Sequence, residues 1–160
     1  MAGAWYNQPI TKGMMTMSGK FPREAREIMK ERFGHDSLIA LATVEDGLPW
    51  VRTVDGYYED GCFYALVNSH TNKMRQIEKE PRVAVCGDWF TGHGVAEDMG
   101  QMLEKRNADI FGRIKAAFAS WYNNGHMDEN DPASRILRIR MTDGVLLSHG
   151  TRYDIDFTEE

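Results

Sequence analysis

The chain is poor in cysteine, in clustered positive charge and in long apolar runs. Cys62 and Cys86 are its two cysteines among 160 residues, and each sits in an apolar, strand-like run. That is too few for a disulfide scaffold and fits buried thiols in a reducing compartment. A single bridge between them stays open. No apolar stretch approaches the roughly 20 residues of a membrane-spanning helix. Met1-Ala2-Gly3-Ala4-Trp5 lacks a basic start followed by an apolar run, so no export signal is expected, and the cytoplasm is the expected compartment. The net charge is −5 and the basic residues are interspersed with acids. Nucleic-acid backbones are held by clustered Lys and Arg, so no nucleic-acid partner is expected. No Gly-x-Gly-x-x-Gly and no Walker sequence is present, which argues against a Rossmann or P-loop site. The five histidines show no i, i+4 pair and no Cys neighbour, so no metal site is expected.

What is present is an ordinary globular composition, 42% apolar and 27% charged, at a length suited to one domain with its own core. Residues 1–20, with Gly3, Pro9, Gly13 and Gly19, read as an irregular arm, and 21–160 as a single domain. Pro22 to Phe33 predicts a helix: Pro suits its first position, and Ala25, Ile28, Met29 and Phe33 form one stripe. The period then changes. Strands are predicted at Ser37–Val44, Trp50–Tyr58, Cys62–Val67, Arg82–Gly87, within Asp88–Met99, and at Arg135–Met141. Thr142-Asp143-Gly144 reads as a turn into Val145–Leu147, and Tyr153–Phe157 as a last short strand. A short helix is predicted from Asn72 to Glu80, closed by Pro81. Gly100 to Asn124 is predicted as one long helix, with Leu103, Ile110, Ile114, Phe118 and Trp121 in helical register. Six or seven short strands at hairpin spacing, with two or three helices, predict a mainly β fold: a closed antiparallel barrel with peripheral helices. Closure removes the unpaired edges such strands would leave.

The functional signal lies between residues 49 and 85. Arg52 lies on one predicted strand, and Thr71 and Lys73 lie just past the next. A hairpin returns on itself, so a guanidinium, a hydroxyl and an ammonium can converge. Such a trio at a helix N-terminus suits a phosphate group.

The order of motifs resembles the pyridoxamine 5′-phosphate oxidase-like flavoproteins, in particular their small general-stress-protein-like bacterial branch. The likeness spans about residues 22–157. It rests on Arg52-Thr53-Val54, Phe63-Tyr64, Thr71-Asn72-Lys73, Glu80-Pro81-Arg82-Val83-Ala84 and Gly94-Val95-Ala96-Glu97. The resemblance implies a six-stranded FMN-binding split barrel and a homodimer with FMN between subunits. It implies that Arg52, Thr71 and Lys73 hold the phosphate, with Asn72 assisting. Thr53 and Val54 would pass their backbone by the flavin ring, while Leu66, Val67 and Asn68 line the site. Apart from that resemblance, Trp89 is expected to stack near the flavin from the second subunit. The chain departs from true pyridoxamine phosphate oxidases. Asp88-Trp89-Phe90-Thr91 stands where those carry an Arg-Gln pair, and the C-terminus lacks their Arg-rich, Trp-containing segment. Vitamin B6 oxidation is therefore not assigned.

The resulting expectation is an FMN-dependent oxidoreductase acting on a small redox substrate that the sequence does not name. A non-catalytic flavin or haem binder is the alternative, with His70, His93 or His149 as axial ligand. Deazaflavin as cofactor, and an interaction protein that has lost its cofactor, also stay open. His70 and His93 fall close to the expected groove. Cys62 and Cys86 read as core packing, and Trp121 and Tyr122 as core or dimer contacts.

Overall fold

A computed structural model describes Gly13 and residues 15–158. The expected arm therefore lies outside the described residues except at its end, where Met15–Lys20 forms strand β1. The remaining elements are α1 (Arg23–Phe33), β2 (Ser37–Glu45), β3 (Leu48–Glu59), β4 (Cys62–Asn68), α2 (Asn72–Lys79), β5 (Arg82–Gly87), β6 (Phe90–Gln101), α3 (Ala108–Ala117), β7 (Ser134–Ser148) and β8 (Thr151–Asp156). Strands β7, β4, β3, β2, β5 and β6 pair in that order, and β6 returns to β7, closing a six-stranded antiparallel barrel. β8 continues from the far half of β7, and β1 lies parallel on β8. This is a split barrel with three helices outside it.

The alternation of residues decides which side faces in. Ile39, Leu41 and Thr43 of β2 are buried, whereas Leu38 and Val44 are exposed. Phe63, Ala65 and Val67 of β4 join Val83, Val85, Phe90, Leu137 and Ile139 in the barrel core. Phe33 brings α1 to this core, with its ring 5.4 Å from Phe63. Ala25, Met29 and Phe33 recur every four residues, so one face of α1 is buried. A second cluster lies outside the barrel wall. There Ile110, Phe111, Ile114 and Phe118 pack with Met102, Tyr122 and Ile136.

Three expectations need correction. The long helix over 100–124 is not formed: α3 spans Ala108–Ala117, preceded by a 3₁₀ turn at Lys105–Asn107. Gly100 sits at φ +94° and completes β6 instead. The expected turn at Thr142-Asp143-Gly144 lies inside one continuous strand, β7, which carries an irregularity there. Cys86 is exposed and Cys62 half-buried; both are free thiols. Among the described residues, no helix is long and apolar enough to cross a membrane.

Candidate functional site

β3 and β4 are laddered only over Tyr57–Glu59 against Cys62–Tyr64. Beyond that they part. β3 stays on β2 from Leu48 to Gly56, while β4 stays on β7 from Cys62 to Asn68. The two strands thus diverge into a notch, with Arg52, Thr53 and Val54 on one flank and Leu66, Val67 and Asn68 on the other. The β3 flank carries main-chain N–H and C=O groups that no strand of the barrel pairs.

Arg52 lies opposite Leu41 and shares its side of the sheet. Its Nη1 donates to Thr43 Oγ1 at 2.6 Å and to the Leu41 carbonyl at 3.3 Å; its Nη2 donates to Gln76 Oε1 at 2.9 Å. Thr43 in turn donates to Gln76 Oε1 at 2.6 Å. All these acceptors are neutral. Burial pulls the Arg52 guanidinium below its ordinary value. Burial, and then the nearby charge of Arg52, pull the Lys73 ammonium below 10.5. Among the described residues, no carboxylate forms an ion pair with either. The nearest element's acid is already engaged: Glu45 takes Arg75 at 3.0 Å and Gln76 Nε2 at 3.2 Å. A buried guanidinium and an ammonium lowered by burial and by that guanidinium's charge, without an acid, make a place where an anion is stabilised.

Thr71 stands at the N-terminus of α2 without capping it. Its hydroxyl donates to the Asn68 carbonyl at 2.8 Å, which ties the end of β4 to the start of the helix. Lys73 follows in the first turn, and Gln76, which holds Arg52, lies one turn further on the same face. Asn72 is exposed, and its Oδ1 accepts from Arg75 at 3.1 Å. Thr53 is exposed, Val54 packs on the core, Leu66 packs on the α3 cluster and Val67 is buried. A polar cleft of about 640 Å³ opens beside Thr71 and includes His70 and Asp98.

Trp89 is not part of this assembly within one chain. It sits in the β5–β6 turn, tied to the far end of the barrel through Arg32, which donates to the carbonyls of Asp88 and Leu147. Trp121 donates to Asp36 at 2.9 Å and Tyr122 is core, its hydroxyl on Glu129 at 2.7 Å. The sequence missed Thr43 and Gln76. Both look like unremarkable polar residues of a strand and a helix, and only tertiary pairing joins them to Arg52.

The model of the family described as pyridoxamine 5′-phosphate oxidase matches residues 23–146. No curated protein matches the chain. Among solved structures, the chain is similar to a FAD-binding protein from Mesorhizobium loti, at TM-score 0.59 and 16% identity, over 74% of this chain and 90% of that one. General Stress Protein 26 from Bacillus anthracis aligns at TM-score 0.56 and 17% identity, over 74% and 90%. HutZ, the haem storage protein from Vibrio cholerae, aligns at TM-score 0.57 and 16% identity, over 77% and 91%. At these identities the likeness establishes the split-barrel fold.

Proposed function

Since the chain belongs to the pyridoxamine 5′-phosphate oxidase family, we propose that it is an FMN-binding oxidoreductase acting as a homodimer on a small redox substrate. The observation that carries this reading is the pair of acid-free cations, Arg52 of β3, held by Gln76 of α2, and Lys73 in the first turn of α2. The chemistry of the donors fits a phosphate monoester. Arg52 offers a planar fork, Lys73 a point charge, and the helix its first amides. Thr71, with Asn72 beside it, supplies a hydroxyl at the same end. The open edge of β3 at Thr53 and Val54 offers alternating amide donors and acceptors to a ring edge. Leu66, Val67 and Asn68 form the opposite flank. The flavin, when bound, supplies the hydride and electron transfer, and the protein holds its phosphate and excludes water.

Within one chain the notch is open on one side, which favours a second copy completing it. Trp89, exposed at the far end of the barrel, then belongs to the flavin of the partner.

An absorbance spectrum of protein purified without added cofactor tests the reading. Flavin bands are expected, and they should be absent from the Arg52→Ala/Lys73→Ala double variant. A Soret band would transfer the case to haem. A double variant that retains FMN at wild-type affinity would refute the phosphate assignment.

A further inference from the structure

Asp60 and Gly61 join β3 to β4, and both have positive φ, +47° and +79°, as a two-residue type I′ turn requires. Facing this hairpin, Arg23, Arg26 and Lys30 recur every three or four residues and so share one side of α1. A cleft of about 360 Å³ lies between helix and hairpin, with Phe21 and Tyr57 as its aromatic wall. Tyr57 stands five residues beyond Arg52, roughly 17 Å along β3, and packs under the α3 cluster. Leu38, Val44 and Val51, the exposed apolar residues of the β2–β3 side, are not among the walls. The cleft is therefore separate from the phosphate site and from the side left open to a second copy.

The charges around it fall into two groups. Two acids are already engaged: Glu27 pairs with Arg23 at 2.9 Å, and Glu59 with Arg113 at 2.9 Å. Among the described residues, Arg26, Lys30 and Asp60 form no ion pair. Arg26 donates its Nε hydrogen to the Phe21 carbonyl at 3.0 Å, and its guanidinium lies 4.4 Å from the centre of the Phe21 ring. These contacts fix the fork while leaving its terminal N–H groups unspent. Tyr58 lines the same cleft and is 5% exposed. Its hydroxyl accepts from the Gly61 N–H at 3.1 Å. Among the described residues it donates to no acceptor, although a buried tyrosine hydroxyl usually finds one. Burial pushes the Tyr58 phenol well above its ordinary value, so the hydrogen stays on, and the charges of Arg26 and Asp60 both act on it.

A simple anion in this cleft would meet Asp60. A simple cation would meet Arg26 and Lys30. A zwitterion uses all three charges, and its carboxylate supplies the acceptor that Tyr58 lacks. We propose that the cleft binds an apolar α-amino acid, its carboxylate held by Arg26, Lys30 and the Tyr58 hydroxyl, its ammonium by Asp60, and its side chain against Phe21 and Tyr57.

Leucine, isocaproate and isopentylamine share one side chain; isocaproate lacks the ammonium and isopentylamine the carboxylate. Calorimetric titration of the full chain should show saturable leucine binding. Each analogue should bind about tenfold more weakly or worse, since each loses hydrogen bonds between charged groups. Lys30→Gln and Asp60→Asn sit at exposed positions, and Asn tolerates the left-handed turn. Both should fold as wild type and lose leucine affinity by a similar factor, as should Tyr58→Phe. If Tyr58→Phe fails to fold, the two exposed variants carry the test. Absence of saturable leucine binding, equal affinity for leucine and either analogue, or wild-type leucine affinity in Lys30→Gln or Asp60→Asn would each overturn the proposal.

Discussion

Replacing Gln76 by leucine keeps its bulk and removes the one acceptor shared by Thr43 and Arg52. Gln76 is 1% exposed and Thr43 is fully buried. The freed donors have no water to turn to, so Gln76→Leu should cost about 1–3 kcal/mol. Urea unfolding would show it as a lower midpoint at unchanged slope. FMN affinity should fall in the same variant, because Arg52 loses its anchor. Lys73 makes a second prediction. Burial, and then the charge of Arg52, hold its folded pKa below 10.5. A bound phosphate would raise it, so binding takes up protons and weakens as pH rises through the window just under 10.5. In the free protein the depressed pKa means that the unfolded chain binds more protons there, so stability rises with pH across that window. Lys73→Met should flatten the pH dependence of FMN affinity measured by fluorescence titration; an unaltered slope would detach Lys73 from the phosphate. Trp89 is held at φ +61° after Asp88 at φ +34°. A bulky side chain there is strained by roughly 1–3 kcal/mol, where Gly would be at ease. Trp89→Gly should therefore melt no lower than wild type while holding FMN less well. A lower melt with intact FMN binding would make Trp89 a packing residue.

At the scale of elements, α1, α2, β4 and β5 are legible because their apolar period matches their burial. Ala25, Met29 and Phe33 face one way, and Phe63, Ala65 and Val67 alternate. The stretch from Gly100 to Asn124 is not. Its helical spacing from Leu103 to Trp121 is real, but Leu103 is 48% exposed. Asn107 decides the boundary. Its Nδ2 donates to the carbonyls of Met99 and Gln101, at 3.1 and 3.0 Å, and fastens the end of β6 to the start of α3. Such side-chain bonds compete with helix continuation and leave no trace in an apolar pattern. The sequence pattern divides β7 because Thr142-Asp143-Gly144 has the residues of a turn, whereas pairing with β6 and β8 carries the strand through it. The site is half legible. Arg52 and Lys73 stand out by order, but the neutral cradle of Thr43 and Gln76 depends on α2 crossing β2. α3 itself rests on packing. Ile114 is fully buried in the outer cluster, so Ile114→Ala should lose about 2–5 kcal/mol. Calorimetric melting would read that loss.

For the whole molecule, the open question is what covers the β2–β3 side of the barrel. Leu38, Val44 and Val51 are 68%, 37% and 71% exposed there. Aliphatic side chains so exposed on adjacent strands, β2 and β3, are the mark of a surface that another surface covers. A second copy is the economical occupant, since the same strands carry Arg52, Thr53 and Val54 and a copy seated there would close the notch. A stable dimer buries roughly 800 Å² per partner, and one lysine at its centre leaves a buried charge without a mate. Val51→Lys sits on an exposed strand position, so the fold itself should melt as before. Sedimentation equilibrium should show wild type as a dimer and Val51→Lys as a monomer. FMN affinity should fall together with dimerisation, and added wild-type chain should not restore the variant at concentrations where the mixed dimer stays apart. A monomeric wild type that binds FMN tightly would assign the whole flavin site to one chain, and Leu38, Val44 and Val51 would then face a different partner.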